Sequence, residues 1–326
     1  MAALTNRLST PYPNEKYDTF NQYWVDHANE FPRRADIETV NVCDAQCLSC
    51  LQHTMTKPRG IMSLGKFKEV ADKLKSHNCL IRGMYTTGNP LLDPTLFEKF
   101  AYARQIKVMA PFVSLNFTTS KLTPDMYHKI LDNMDNVTLS FFAVGSEFER
   151  LTGGLDWPSC YYKALQFIRA RDKYRPDFRI FIGCNAVKDS NLADVKAAFR
   201  GYNVEYAVDA ELRWDGPVVT GVTDRAIMYP TFRCDGHEGV LMIKWNGNIE
   251  ACSYDFKEET LYANIFTDDW ETIRQKFFEN WKKPFHLCSR CDYFHLYWHT
   301  KKNRFRKIVD YEWQKPFLKE GQPYQK

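Results

Sequence analysis

Short apolar runs recur along the first two thirds of the chain, and segments with helical spacing of apolar positions separate them. Six runs have the length and composition of β-strands: residues 37–42, 80–85, 112–117, 137–142, 178–184 and 206–212. Five amphipathic segments predict helices: residues 63–76, 94–106, 123–134, 157–174 and 192–199. Ser63 and Asp93 are the predicted N-caps of the first two helices.

This alternation predicts an α/β fold with a parallel sheet and right-handed crossovers. Six strands are too few to close an eight-stranded barrel, so we predict a partial (β/α)6 TIM-like barrel that is open on one side. We expect the active site at the carboxyl ends of the strands, where active sites of such sheets collect.

The pattern changes after residue 216. Two apolar runs, residues 240–245 and 248–252, flank Asn246-Gly247, a dipeptide typical of β-hairpin turns, and a helical segment follows at residues 268–281. We therefore predict a small C-terminal β-hairpin/helix domain. The predicted division is an N-terminal arm at 1–35, the barrel at 36–220, the second domain at 221–295 and a C-terminal tail at 296–326.

Composition and charge narrow the class of protein. Hydrophobic residues make up 44% of the chain and charged residues 26%, which is typical of a globular protein. The 44 basic and 40 acidic residues give a net charge of +4, which is too small to predict a nucleic-acid partner. No stretch has the pattern of a secretion signal or of a membrane-spanning helix, so we predict a cytoplasmic protein with no membrane partner.

Most of the ten cysteines lie in two groups. A cytoplasmic protein of this size needs no disulfide framework, so metal binding or redox chemistry is the expected use. The first group is Cys43, Cys47 and Cys50, and the second is Cys234, Cys252, Cys288 and Cys291. The isolated cysteines are Cys79, Cys160 and Cys184.

The first group has the spacing C-x3-C-x2-C in a loop after the first predicted strand. Three thiolates on one loop can bind an iron-sulfur cluster or zinc. A structural zinc site needs a fourth ligand, for which His53 is a candidate. A cluster held by three cysteines instead leaves one iron open to a small molecule.

This loop resembles the cluster-binding loop of the radical S-adenosylmethionine (SAM) superfamily. Residues 87–90 resemble the family's Gly-Gly-Glu-Pro stretch: Gly88 and Pro90 match it, whereas Asn89 replaces glutamate and Thr87 replaces the first glycine. The resemblance implies that a 4Fe-4S cluster on the first cysteine group binds SAM, with Gly88, Asn89 and Pro90 as further cofactor contacts. In that family the bound SAM is cleaved to a 5′-deoxyadenosyl radical, which the protein aims at the substrate.

Two polar residues fall where the family has other SAM contacts, Asn116 at the end of the third strand and Ser140 at the end of the fourth. A buried hydroxyl bonded to backbone is the alternative for Ser140. Residues 148–154 also resemble the family segment that follows there. Ser49 stands before the third cysteine, where the family usually has an aromatic residue near the adenine. Other candidates for the adenine contact are Tyr85, Phe117 and Phe142.

The second cysteine group brackets the predicted hairpin in the pattern C-x12-G-x4-C, followed by C-x2-C. Four cysteines suit either zinc or a fully ligated 4Fe-4S cluster. The pattern resembles the twitch domain, a shortened SPASM domain appended to radical SAM barrels. The resemblance implies a second, auxiliary 4Fe-4S cluster that serves electron transfer or closes the structure.

The resemblance further implies hydrogen abstraction from a polar small-molecule substrate. Loss of an electron to the auxiliary cluster gives oxidation, as in aminoglycoside-type dehydrogenases, and this is the reaction that we predict. Epimerisation is the alternative, with Cys184 as the hydrogen donor. Asp209, Glu211 and Arg213 alternate along the sixth strand and its exit, so they share one face. If that face is the barrel interior, they would remove a proton or position the substrate, and if it points outward they form a solvated edge.

The resemblance also implies an electron donor such as flavodoxin or ferredoxin. Two other functions stay open from the sequence. Peptide modification is common among SPASM proteins, and a non-catalytic zinc-binding protein would use the same cysteines.

Overall fold

A computed structural model describes residues 32–48, 50, 52, 55–84, 87–110, 112–185, 191–209, 240–253 and 255–282. The strands are β1 (Arg34–Ile37), β2 (Leu80–Gly83), β3 (Ser114–Phe117), β4 (Asn136–Ser140), β5 (Arg179–Asn185), β6 (Glu205–Asp209), β7 (Val240–Ile243), β8 (Asn248–Glu250) and β9 (Leu261–Asn264). The α-helices are α1 (Leu64–Ser76), α2 (Leu96–Gln105), α3 (Tyr127–Asn133), α4 (Gly145–Thr152), α5 (Trp157–Tyr174), α6 (Leu192–Ala198) and α7 (Trp270–Lys282).

Two hydrogen-bonded sheets form the framework of the described residues. β3, β4, β5 and β6 are parallel neighbours in that order. The other sheet has the order β2-β1-β7-β8-β9, in which β1 pairs with β2 and β7 in parallel and the remaining pairs are antiparallel. A parallel bridge between Ile81 and Met109 joins β2 to the chain just before β3. The predicted α/β class with parallel strands is confirmed, and the arrangement is consistent with a partial barrel.

The two faces of the parallel strands differ in polarity. On β4, Val137 and Leu139 are fully buried in the same hydrophobic cluster as Phe167 of α5. Thr138 and Ser140, which alternate with them, are partly exposed. Because successive strand residues point to opposite faces, one face of the sheet packs on helices and the other carries polar side chains.

β7 and β8 form the predicted hairpin. Gly247 has φ of +89°, a left-handed conformation that favours glycine in the turn. The Lys244 backbone N–H donates to the Asn248 carbonyl at 2.8 Å. β7 also pairs in parallel with β1, from the Arg34–Val240 pair to the Ile37–Ile243 pair, so the hairpin extends the sheet that contains β1. The predicted domain division at residue 220 lies outside the described residues.

Several predicted boundaries differ from the structure. The first strand ends at Ile37 instead of residue 42, because the following backbone pairs elsewhere: Val40 forms an antiparallel bridge with Ile61. The second predicted helix begins at Leu96, since Asp93 accepts the Thr95 backbone N–H at 3.0 Å in a turn before it. Residues 123–134 divide into a 3₁₀ turn, Pro124–Met126, and α3.

The structure also confirms one predicted N-cap, because the Ser63 hydroxyl accepts the Lys66 backbone N–H at 3.3 Å. α4 and β9 were not predicted. Of the helices described, none is both long and apolar enough to cross a membrane.

Candidate active site

The first cysteine group lies on a closed loop, residues 41–60, which we call the cysteine loop. Asn41 closes it: its backbone N–H donates to the Gly60 carbonyl at 3.2 Å, and its side-chain oxygen accepts the Gly60 N–H at 2.7 Å. The Asn41 amide nitrogen also donates to the Pro58 carbonyl at 2.9 Å. The loop thus leaves and rejoins the fold at one point beyond β1.

The cysteine-bearing half of this loop rests on the end of α4. The Gln46 N–H donates to the Thr152 carbonyl and the Leu48 N–H donates to the Leu151 carbonyl, both at 2.9 Å. Gly153 has φ of +70°, and a Cβ there would lie 2.5 Å from the Gln46 carbonyl oxygen. Residues 148–154, which resemble a family segment, therefore support the cysteine loop by close backbone contact.

Cys43, Cys47 and Cys50 are all half-buried. Burial raises the pKa of the Cys43 thiol, against the lowering effect of backbone hydrogen bonds from residues such as Ala45 and Asn89. The Gln52 backbone N–H is directed at the Cys50 sulfur at 3.5 Å. Hydrogen bonds to sulfur are among the features that tune iron-sulfur clusters, so three such thiols on one loop are a donor set that fits a cluster.

Among the residues that the structure describes, no three His, Cys, Asp or Glu side chains are grouped to hold one metal ion. Metal ligation by the first cysteine group stays a prediction.

The predicted SAM-binding stretch is joined to the cysteine loop through backbone. The Asn89 N–H donates to the Val42 carbonyl at 3.0 Å. A Cβ on Gly88 would lie 2.6 Å from the carbonyl oxygens of both Val40 and Val42, so only glycine fits without displacement. Pro90 begins a 3₁₀ turn, Pro90–Leu92. The stretch after β2 is therefore packed on the chain that leads from β1 into the first cysteine.

The Asn89 side chain is buried and fully engaged within the protein. Its amide nitrogen donates to the Asp44 carboxylate at 2.8 Å and to the Thr118 hydroxyl at 2.9 Å, and its oxygen accepts the Leu91 N–H at 3.2 Å. Ser120 also donates to the Asp44 carboxylate. We call these four residues, Asp44, Asn89, Thr118 and Ser120, the Asn89 network. It ties the cysteine loop to the carboxyl ends of β2 and β3.

Sequence reasoning singled out Asn89 but missed the other three members of the Asn89 network. Asp44 stands between two predicted ligand cysteines, and Thr118 and Ser120 directly follow a predicted strand. Polar residues at the carboxyl ends of parallel strands were the available signal. The Asn89 backbone is also bonded within the protein, because its N–H donates to Val42 and its carbonyl accepts the Leu92 N–H at 3.0 Å. A carbonyl oxygen can accept a second hydrogen bond, so this oxygen has one acceptor position for SAM, a contact that stays a prediction.

Asn116 and Ser140 lie on the polar face of the parallel strands. Asn116 is exposed and pairs in register with Thr138, and Ser140 is half-buried and pairs with Gly183. Gly183 leaves room for its neighbour, since a Cβ there would lie 2.6 Å from the Thr138 methyl group. The structure thus brings both predicted residues to one face, near the carboxyl ends of adjacent strands.

Cys184 lies on the opposite face of β5. It is fully buried and alternates with the partly exposed Gly183. Its sulfur is 3.6 Å from the Phe142 carbonyl oxygen, to which it donates. Asp209 ends β6 with its backbone in register with Asn185. The two other predicted substrate residues, Glu211 and Arg213, lie outside the described residues.

Of the second cysteine group, the structure describes Cys252, which is half-buried. Cys234, Cys288 and Cys291 lie outside the described residues, as do Ser49, His53 and Tyr85. Two of the proposed adenine contacts, Phe117 and Phe142, are buried in the hydrophobic core.

A line of buried charges connects the surroundings of Cys252 to the predicted SAM-binding stretch. Lys244 lies 3.3 Å from carboxylate oxygens of both Glu38 and Glu250, and Lys57 lies 2.9 Å from Glu250. Thr87, at the start of the SAM-binding stretch, donates to the Glu38 carboxylate. We call Glu38, Lys57, Lys244 and Glu250 the ion network. Sequence reasoning missed it, because its members come from three separate stretches of the chain.

Burial and charge pull the pKa values of the ion network in opposite directions. Burial by itself lowers the pKa of Lys244, but the carboxylates of Glu38 and Glu250 outweigh it and the pKa is raised. Burial raises the pKa of Glu250 to about 7, against the lowering effects of Lys244 and Lys57. Lys244 and Glu250 therefore depend on their partners to stay ionised inside the protein.

Comparisons with known proteins give matches among solved structures alone. No protein-family model matches the chain, and no curated protein matches it. Streptococcus suis SuiB bound to precursor peptide SuiA is 13% identical over 91% of this chain and 81% of that one, with a TM-score of 0.59. Native anSMEcpe with bound AdoMet, which is SAM, is 16% identical over 81% of this chain and 88% of that one, with a TM-score of 0.56.

BtrN in complex with AdoMet and 2-DOIA is 15% identical over 80% of this chain and 90% of that one. Its TM-score of 0.48 is too low to carry an argument about the reaction. The chain shares the fold of SuiB and anSMEcpe. At such low sequence identities the likeness shows the fold alone, and the reaction has to be inferred from the residues of the site.

Proposed function

We propose that the protein is a radical SAM enzyme whose active site is built on the cysteine loop. One observation carries the proposal: the Asn89 N–H donates to the Val42 carbonyl at 3.0 Å, which holds the predicted SAM-binding stretch against the root of the loop. A cluster ligand set and a SAM-binding stretch must adjoin for one cofactor to contact both. The shared fold of SuiB and anSMEcpe supports the same conclusion.

In this proposal Cys43, Cys47 and Cys50 hold a 4Fe-4S cluster, and the backbone of residues 88–90 holds SAM beside it. The bound cluster and SAM together supply the radical that removes a hydrogen atom from the substrate. The chain's own contribution is positional. The Asn89 network holds the loop and the SAM-binding stretch at one spacing, and Gly88 keeps their backbones in contact.

The substrate would lie on the polar face of the parallel strands. Asn116 and Ser140 offer hydrogen-bonding groups there, and Asp36 on β1 forms an ion pair with Arg82 on β2. A polar small molecule suits such a surface, because its hydroxyl or amino groups replace water in these contacts. Asp209, Glu211 and Arg213 are proposed to complete this face.

We propose oxidation as the reaction, with Cys234, Cys252, Cys288 and Cys291 holding an auxiliary 4Fe-4S cluster that receives the substrate's electron. An adjacent carboxylate such as Asp209 would accept the proton. The position of Cys184 supports oxidation over epimerisation, because its thiol lies on the helix-packed face of β5 and not on the polar face. A flavodoxin or ferredoxin would supply the reducing electron.

Anaerobic purification followed by iron, sulfide and zinc analysis tests the cofactor assignment. Reduction in the presence of SAM should release 5′-deoxyadenosine from the wild-type protein and none from Cys47→Ala. Cys160→Ala is the matched control and should keep SAM cleavage, since Cys160 is a buried residue of the hydrophobic core. Stoichiometric zinc without iron, or equal 5′-deoxyadenosine from the Cys47 variant, would refute the proposal.

A further inference from the structure

We propose that Lys57 is a positioning residue for Cys252, through which the cysteine loop holds the segment that carries the second proposed metal site. The inference rests on the proposed function, in which Cys252 is a ligand of the auxiliary cluster. Lys57 belongs to the half of the cysteine loop that returns to the fold, residues 55–60, which we call the return arm.

The contacts of Lys57 lie on both sides of Cys252. Its ammonium group donates to the two oxygens of Glu250 at 2.9 and 3.1 Å, and to the Asp255 backbone carbonyl at 2.7 Å. Glu250 precedes Cys252 by two residues and Asp255 follows it by three. An ammonium group has three N–H donors, so all three donors of Lys57 are bonded to the segment around this cysteine.

Burial makes these contacts hard to exchange. The Lys57 side chain is 4% exposed and that of Glu250 is 0% exposed. Water is therefore excluded as a substitute partner, and a buried charge that lost its counter-ion would have to be resolvated by local opening. The return arm and residues 250–255 are held together as long as both charges remain inside.

Independent backbone and ring contacts place the return arm on the same part of the fold. The Thr56 N–H donates to the Phe256 carbonyl at 3.4 Å, and the Trp245 indole N–H donates to the Pro58 carbonyl at 3.3 Å. A Cβ on Gly60 would lie 2.5 Å from the Trp245 ring. The return arm thus lies against both the hairpin turn and the segment that follows Cys252.

The segment around Cys252 has its own closing bonds, which Lys57 completes. The Asp255 N–H donates to the Cys252 carbonyl at 3.3 Å, and the Asp255 carboxylate accepts both the N–H and the hydroxyl of Thr260 at 2.6 and 2.7 Å. These bonds define a turn, and Lys57 fixes that turn to the cysteine loop. The turn after Cys252 is therefore held in place by the loop that carries the first cysteine group.

The test is the rate at which a thiol-alkylating reagent modifies Cys252 in the full-length, cluster-free protein, followed by mass spectrometry. Lys57→Met should raise that rate about fivefold or more through local opening, and leave the rates at Cys43, Cys47 and Cys50 unchanged. Lys57→Arg retains the cation and should restore slower modification. An unchanged Cys252 rate in the methionine variant would overturn the proposal.

Lys99→Met is the matched control. Lys99 is also fully buried, and it also bonds a carboxylate, Asp93, and a backbone carbonyl, that of Met62. Its removal should lower global stability without a selective effect at Cys252. If both lysine variants raise the Cys252 rate equally, Lys57 has a general structural role and the inference is wrong.

A measurement on the unmodified chain keeps the inference testable if Lys57→Met does not fold. Native-state hydrogen exchange at low denaturant should show residues 55–60 and 252–256 opening as one unit, and separate opening would overturn the inference. In protein loaded with iron, Lys57→Met should lose about half of the iron while SAM cleavage continues. A wild-type protein without iron would refute the proposed function and leave the alkylation result to stand by itself.

Discussion

The Asn89 network and the ion network hold opposite halves of the same loop by different means. The Asn89 network joins the cysteine-bearing half to β2 and β3 through one amide, two hydroxyls and a half-buried carboxylate. The ion network joins the return arm to β1, β7 and β8 through four charges buried from water. Near the proposed cluster the contacts are polar and partly exposed to solvent, and away from it they are charged and buried.

The Asn89 network should therefore set the geometry of the site, whereas the ion network should stabilise the fold. Losing one hydrogen bond at a half-buried carboxylate costs little, because water replaces the missing partner. Losing one charge from a buried network leaves its counter-ion without solvent or partner. We therefore expect changes to the ion network to act on the stability of the whole fold, and changes to the Asn89 network to act on the site.

The largest expected effect is that of Lys244→Met. It leaves two buried carboxylates in the ion network and one cation, Lys57, which bonds Glu250, so the free energy of unfolding should fall by about 3–5 kcal/mol. Urea unfolding measures the change. In the double variant Lys244→Met/Glu38→Gln one buried negative charge is removed as well, so part of the lost free energy of unfolding should be recovered. A loss below about 1 kcal/mol would show that the ion network is not the stronger of the two.

Gly88→Ala should have the next largest effect. The added methyl group would meet the carbonyl oxygens of Val40 and Val42 at 2.6 Å, so the backbone must move, at a cost of about 1–3 kcal/mol. SAM binding, measured by calorimetry, should weaken as well. Gly65→Ala in α1 is the control: no atom lies within 4 Å of its added methyl group, and a slight stabilisation is expected. Equal behaviour of the two variants would contradict the close backbone contact.

Asn89→Ala should cost about 1–2 kcal/mol of stability, since Asp44, Thr118 and the Leu91 N–H each lose one hydrogen bond but Asp44 regains water. The effect on SAM affinity should be larger in proportion, about tenfold, because the cysteine loop loses its link to β2. Asn133→Ala, which removes an amide bond to the Lys129 carbonyl on an exposed part of α3, should leave SAM affinity unchanged. A fall in stability without a change in affinity would assign Asn89 to the fold alone.

The smallest effect should come from Arg179→Ala. Arg179 and Glu205 form a two-point ion pair on β5 and β6, but their side chains are 53% and 48% exposed. Exposed pairs contribute less than about 1 kcal/mol, and salt screens them. Urea unfolding at low and high salt provides the check. A loss comparable to that of Lys244→Met would remove the distinction between exposed and buried charge.

How much the sequence predicts depends on how local the determining contacts are. α5 spans Trp157–Tyr174 as predicted, because its N-cap Asp156 accepts the Ser159 N–H at 2.8 Å within one turn. The Asn246-Gly247 turn and its hairpin follow from the same kind of short-range signal. The pairing of β7 with β1 joins residues about two hundred positions apart, and no local pattern encodes it.

The candidate site shows the same division. The cysteine spacing and Gly88 are visible in the sequence because they are contiguous or nearly so. The partners of Asn89 lie 45 and 29 residues away in Asp44 and Thr118, and those of Lys57 lie nearly two hundred residues away. Contacts of this kind depend on the order of strands in the sheets, which the sequence pattern leaves open.

The most direct test of the central claim is the electron paramagnetic resonance spectrum of the reduced protein before and after addition of SAM. If the cysteine loop holds a cluster with one open iron, SAM should change the spectrum of wild-type protein. Cys252→Ala should retain that change and Cys47→Ala should lose it. A cluster signal that SAM leaves unaltered in the wild-type protein would contradict the account.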